Sequence, residues 1–261
     1  MKKGGLRMEL QVRFSKLADI SDIVRLVREG FPAEVGDKLI YFSYGIDKYI
    51  VNQMVESNSD TKYMTAELDG EMVGFVEYKW FNGGVVLNYI VLDRKFKGKG
   101  LATNFLHKSL SLLEPVPVKI ELDVFDYNLT ALHWYEKQGF KKVGESYWYE
   151  ISDCTLFDTE EMVYVTNAAQ SLSMFENYGF STLNLFSSNH ACCVGILGEY
   201  WLRITQREIL SDIAILQFLR KKYPTRKILA ILPQSLGVDE YKYFKIKEIL
   251  RSYRMKLILN K

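Results

Sequence analysis

The chain has 261 residues, 48% hydrophobic and 25% charged, with a net charge of +2; this is ordinary globular material, enough for one large domain or two small ones, and the charge is too slight to imply nucleic acid. Its three cysteines, Cys154 and the adjacent Cys192 and Cys193, form neither a disulfide framework nor a spaced metal site, so buried thiols in a reducing, cytoplasmic compartment and no metal are expected. No apolar run is long enough to span a membrane, and Met1-Lys2-Lys3-Gly4-Gly5 precedes no apolar signal core, so neither a membrane partner nor export is expected.

In chain order, residues 19–30 read as a helix with Ile23, Leu26 and Val27 on one face. A second helical segment covers residues 47–56. Three strands follow, over 63–68, 72–79 and 85–92, with Asp69-Gly70 as a hairpin signal between the first two. Beyond the third strand, apolar positions Leu101, Phe105, Leu106, Leu110 and Leu113 recur at helical spacing until Glu114-Pro115 stops them.

Between this strand and helix lies Lys97-Gly98-Lys99-Gly100-Leu101-Ala102. Glycines at 98 and 100 let the backbone approach a ligand closely. The unpaired N–H groups of the first helical turn, with the positive end of the helix dipole behind them, suit a pyrophosphate. Residues 118–124 then read as a strand, and Asn128 to Gly139 as a short helix capped by Asn128 and closed by Gly139.

These two segments resemble the GNAT superfamily of GCN5-related N-acetyltransferases. The family's phosphate loop is [Gln/Arg]-x-x-Gly-x-[Gly/Ala], and Lys97-x-x-Gly100-x-Ala102 matches it except for the lysine. Its second motif is met by Asn128, Ala131, Tyr135, Gly139 and Phe140. The resemblance covers about residues 11–151 and implies a mixed-sheet α/β fold of order β, α, α, β, β, β, α, β, α, β, β, with residues 141–151 as the last strands. It also implies acetyl-CoA as acyl donor and a primary amine as acceptor. Ile90, Val91 and Leu92 would line the pantetheine arm, and Lys97, Gly98, Lys99, Gly100, Leu101, Ala102 and Thr103, with Asn128, would hold the rest of the cofactor.

Tyr135 matches the family's tyrosine acid, and an ordinary tyrosine pKa near about 10 suits a proton donor to a thiolate. For the base, the strand carboxylates are Glu77, Glu121 and Asp123, each equally explicable as an edge residue or salt-bridge partner; Glu77 is taken as the candidate. His133 lies two residues from Tyr135 and so belongs on another helix face. In the family the acceptor is chosen partly by the segment between the first two helices. Here that segment, residues 31–49, holds Glu34, Asp37, Tyr41, Phe42 and Tyr44, which suit either a cationic amine or an ordinary surface lid.

Polar breaks near residues 152–158 separate a first domain, 1–151, from a second, 158–261. In the second, strands are expected over 162–165, 182–186, 191–197, 200–205, 228–232 and 256–259. Helices are expected over 167–178, from 209 to about 223, and over 241–253. The order nearly repeats the first domain, so the second is either a degenerate GNAT-like half or an unrelated α/β domain. Gln206-Arg207-Glu208 stands where a glycine loop would be, so this half lacks a pyrophosphate site. It could cover the first sheet, shape the acceptor pocket or form a homodimer. Besides an N-acetyltransferase, two readings stay open: a non-catalytic acyl-CoA-binding module and an aminoacyl-transferring tandem enzyme.

Overall fold

A computed structural model describes residues 9–152, 159–237 and 244–259; the boundary residues 153–158, Cys154 and the first eight residues therefore lie outside it. In the first half the elements are β1 (Gln11–Phe14), α1 (Ile20–Gly30), α2 (Ala33–Gly36), α3 (Ile46–Val55), β2 (Thr61–Leu68), β3 (Glu71–Phe81), β4 (Gly84–Leu92), α4 (Leu101–Ser111), β5 (Lys119–Phe125), α5 (Leu129–Lys137) and β6 (Lys141–Ser152). The second half has β7 (Tyr164–Val165), α6 (Ala168–Tyr178), β8 (Phe180–Phe186), β9 (Ala191–Leu197), β10 (Trp201–Ile204), α7 (Ile213–Lys222), β11 (Lys227–Leu232) and β12 (Lys245–Ile258). Among the described residues no helix is long and apolar enough to cross a membrane.

The strands of both halves join in one 12-stranded sheet of order β1-β2-β3-β4-β5-β12-β6-β11-β10-β9-β8-β7. The last strand of the second half thus lies between β5 and β6 of the first, and β6 in turn lies between β12 and β11. The halves are interleaved through these strands. One side of the first-half sheet packs against α4 and α5 through Phe105, Leu106 and Tyr135, with Met255 of β12 in the same core. The opposite side packs against α1 and α3 through Ile23, Val27, Ile46 and Ile50, around Tyr41 and Phe75. A separate core fills the second half, and Trp201, Leu229, Trp148 and Ile40 join the two.

The second half departs from the sequence reading in several places. Residues 245–253, expected as helix, belong to β12, while 241–243 lie outside the described residues. Ile246, Ile249, Leu250 and Tyr253 mimic helical spacing, but the segment is hydrogen-bonded on both edges, to β5 and to β6. Satisfying two ladders outweighs a weak local preference. Residues 141–151 form one long strand rather than the expected pair; β12 takes the place of the second. The helix expected from 209 is a short 3-10 turn, Arg207–Ser211, followed by α7, because Asp212 accepts the Ile215 amide at 3.0 Å and caps a new helix. Residues 162–165 reduce to the two-residue β7. Of the cysteines expected to be buried, Cys192 is and Cys193 is not, as adjacent strand residues face opposite sides.

Close packing also joins the halves away from the sheet. Gly45 presses on the end of α6, where a Cβ would lie 2.1 Å from the Asn177 carbonyl oxygen. Beside it the Tyr44 hydroxyl donates to the Glu176 carbonyl at 2.9 Å and Asn52 Nδ2 donates to the Tyr178 hydroxyl at 2.6 Å.

Candidate active site

The site exists because two neighbouring strands part. β4 and β5 are parallel but pair only at Val85 with Ile120 and Val86 with Glu121. Beyond that point the β4 edge facing β5 has no strand partner among the described residues, while β5 is held on its other side by β12 from Lys119 to Phe125. The resulting cleft has a volume of about 670 Å³. Of the residues singled out in the sequence, Glu77, Ile90, Asn128 and Tyr135 line it, whereas Val91, Leu92 and residues 97–103 are not among its lining residues.

The turn after β4 is closed by Asp93, whose carboxylate accepts the Lys95 amide at 3.0 Å. Gly98 and Gly100 have φ of +77° and +75°, left-handed values that disfavour any side chain. Gly100 caps α4, and a Cβ at either glycine would meet nothing within 4 Å, so the loop surface is open. Lys97 and Lys99 are exposed beside it. Thr103 has a second role: its hydroxyl accepts from Trp134 Nε1 at 3.1 Å and ties α4 to α5. Asn128 Oδ1 accepts the Ala131 amide at 3.2 Å, so this side chain caps α5 as well as lining the cleft.

Glu77 sits on β3 and is 6% exposed. Opposite it β4 carries a bulge, pairing Glu77 with Tyr89 and Tyr78 with Leu87, which leaves Asn88 as the extra residue. Asn88 Nδ2 donates to Glu77 Oε1 at 2.8 Å, and the Tyr41 hydroxyl donates to Oε2 at 2.5 Å. Burial lifts the Glu77 carboxyl above the ordinary glutamate range, and the two donors oppose that rise by favouring the carboxylate. Tyr135, on α5, is 7% exposed, and burial raises its phenol well above the ordinary value. It therefore holds its proton at neutral pH.

The other sequence candidates have separate tasks. Arg254 of β12 binds Asp123 through two contacts of 2.7 Å and reaches Glu121 at 3.3 Å, so these carboxylates form ion pairs. His133 is exposed. In the 31–49 segment, Asp37 accepts from Trp201 Nε1 at 2.9 Å and pairs with Lys38, and Tyr44 contacts α6. Of this segment, Phe31, Lys38, Leu39 and Ile40 reach the cleft; Glu34 and Asp37 do not.

Sequence reasoning missed Asn88, Trp148 and Arg203 as cleft residues. Arg203 had one legible signal, a lone cation alternating with buried Leu202 and Ile204 in a short strand. In the second half the corresponding strands do not part: all four residues of β10 pair with β11.

Residues 21–140 match the model of the acetyltransferase (GNAT) family. That stretch belongs to the GNAT family. A spermine/spermidine N(1)-acetyltransferase of Bacillus subtilis (strain 168) is 31% identical over 87 residues, which are 30% of this chain and 57% of that protein. The chain thus spans a little over half the length of the curated relatives it matches. Across the whole chain the fold is that of the tandem GNAT protein from the clavulanic acid biosynthesis pathway, with a TM-score of 0.67 at 10% identity, covering 97% of this chain and 99% of that one. A Pyrococcus horikoshii protein of proposed acetyltransferase function aligns with a TM-score of 0.65 at 17% identity, over 100% of this chain and 93% of that one. The second half therefore repeats the GNAT fold without the glycine loop and without a parted strand pair.

Proposed function

We propose that the protein is an acetyl-CoA-dependent N-acetyltransferase acting on a primary amine, with one working site, in the first half. The observation that carries this is the parted β4–β5 pair, with an open glycine turn between β4 and α4 and with Glu77 and Tyr135 both lining the cleft. The match of residues 21–140 to the GNAT family and the similarity to a polyamine acetyltransferase support an amine acceptor.

The residues fit the donor. First-turn amides of α4 and Gly98 to Thr103 would bind the pyrophosphate, and the unpaired edge of β4 from Leu87 to Leu92 would bind the pantetheine arm. Acetyl-CoA supplies the activated thioester. Glu77, as carboxylate, takes a proton from the amine as its nitrogen bonds to the acyl carbon. Tyr135 gives its proton to the sulfur as the carbon–sulfur bond breaks. Asn88 and Tyr41 hold the Glu77 carboxylate in place throughout.

Calorimetric titration with acetyl-CoA, run on the wild type and on Gly100→Asp, tests the reading. One-to-one binding lost in the variant is expected, since the new carboxylate repels the pyrophosphate from a turn that also disfavours a Cβ. A folded wild type that binds no acetyl-CoA refutes it.

A further inference from the structure

The cleft receives three cations: Lys38 from the loop after α2, Arg254 from β12 and Arg203 from β10. Two are neutralised. Arg254 is bound to Asp123 and Glu121, and Lys38 is bound to Asp37 at 2.6 Å while lying over the Trp201 ring. Arg203 has no carboxylate or hydrogen-bond partner among the described residues; it is solvent-exposed on the cleft wall, within electrostatic reach of the Tyr89 phenol. A guanidinium on a cleft wall with no counter-charge of its own is free to take a ligand's anionic group in a charge-assisted, two-pronged hydrogen bond.

The two carboxylates lining the cleft complete the picture. Asp123 is taken by Arg254, whereas Glu77, the other one, is held only by the neutral donors Asn88 and Tyr41. A polycation would find one carboxylate and an unpaired arginine. A molecule with one amine and one anionic group would match both. Tyr89 is near both: it pairs across the ladder with Glu77, and its phenol is under the electrostatic influence of both Glu77 and Arg203.

Resting on the acetyltransferase reading, we propose that the acceptor is an amino acid: Arg203 of the second half binds its carboxylate while Glu77 receives its amine. The guanidinium fork matches a carboxylate bidentately, a geometry lysine does not reproduce. The second half thus contributes the specificity-determining residue of a reaction carried out in the first. The strands that interleave the halves are what bring it there.

The test is calorimetric titration of the CoA-saturated protein with amine pairs that differ by one carboxylate: lysine against cadaverine, ornithine against putrescine, phenylalanine against phenethylamine. At least one carboxylate-bearing member is expected to bind the wild type roughly tenfold or more tightly than its partner. That preference should vanish in Arg203→Gln and return in part in Arg203→Lys, with thermal unfolding showing that both variants fold. Equal or tighter binding of the decarboxylated members, a preference that survives Arg203→Gln, or no binding by any carboxylate-bearing member overturns the assignment. Failure of the wild type to bind CoA instead defeats the acetyltransferase reading, and the same titrations on the CoA-free protein then still decide the role of Arg203.

Discussion

Met255→Ala tests whether the two halves are one cooperative unit. Met255 is 1% exposed on β12, and it packs in the first-half core with Leu122, Phe105 and Phe140 although it lies near the end of the chain. It faces Leu122 across one ladder and Lys142 across the other. Truncating a buried methionine to alanine removes its transfer free energy and leaves a cavity, together about 2–5 kcal/mol. A domain commonly has only about 5–15 kcal/mol in all, so this is a large fraction. For a chain of this size 1 kcal/mol corresponds to roughly 2–4 °C, so a loss of about 3 kcal/mol should lower the melting temperature by roughly 6–12 °C. The assay is urea and thermal unfolding followed by circular dichroism and by tryptophan fluorescence, with Trp80 and Trp134 against the first-half core and Trp148 and Trp201 where the halves meet. Since β12 closes β5 on one edge and β6 on the other, both signals should fall in one transition, shifted by the same amount. Two resolved transitions, only one of them moved by Met255→Ala, would refute the claim that the interleaved strand couples the halves.

Further expectations concern the site and the interface. Tyr135→Phe should leave acetyl-CoA affinity nearly unchanged while kcat falls by about 10²–10⁴-fold, measured by thiol release; equal losses in binding and turnover would assign the residue to packing instead. Burial raises the Glu77 carboxyl, so the acid limb of kcat/KM should lie above the ordinary glutamate range, with activity gained as pH rises through it. Tyr41→Phe removes a donor that favours the carboxylate and should move that limb further up, whereas Glu77→Gln should abolish it; a limb unmoved by Tyr41→Phe speaks against Glu77 as the base. Gly45→Ala must push a methyl into the Asn177 carbonyl, 2.1 Å away, and should destabilise the protein by about 1–3 kcal/mol in urea unfolding; an unchanged midpoint would mean that this contact between halves yields freely.

What the sequence determined on its own is local. The glycine turn before α4, the Asn128 cap, the helix that carries Tyr135 and the β2–β3–β4 meander each follow from residue types within a few positions of one another. Left-handed φ at Gly98 and Gly100, a side-chain cap and strand alternation need no distant partner. The tertiary structure decided what depends on which segments meet. Residues 245–253 have helical spacing yet become a central strand, because two open strand edges must be satisfied. Glu77 was one carboxylate among several until a bulge at Asn88 and the buried Tyr41 hydroxyl both converged on it, while Arg254 claimed Asp123 and Glu121. Arg203 enters the cleft through the same interleaving of the halves. Backbone preference is written within a few residues, whereas partners for buried charges and strand edges come from anywhere in the chain, so the glycine turn was legible and the lining of the cleft from the second half was not.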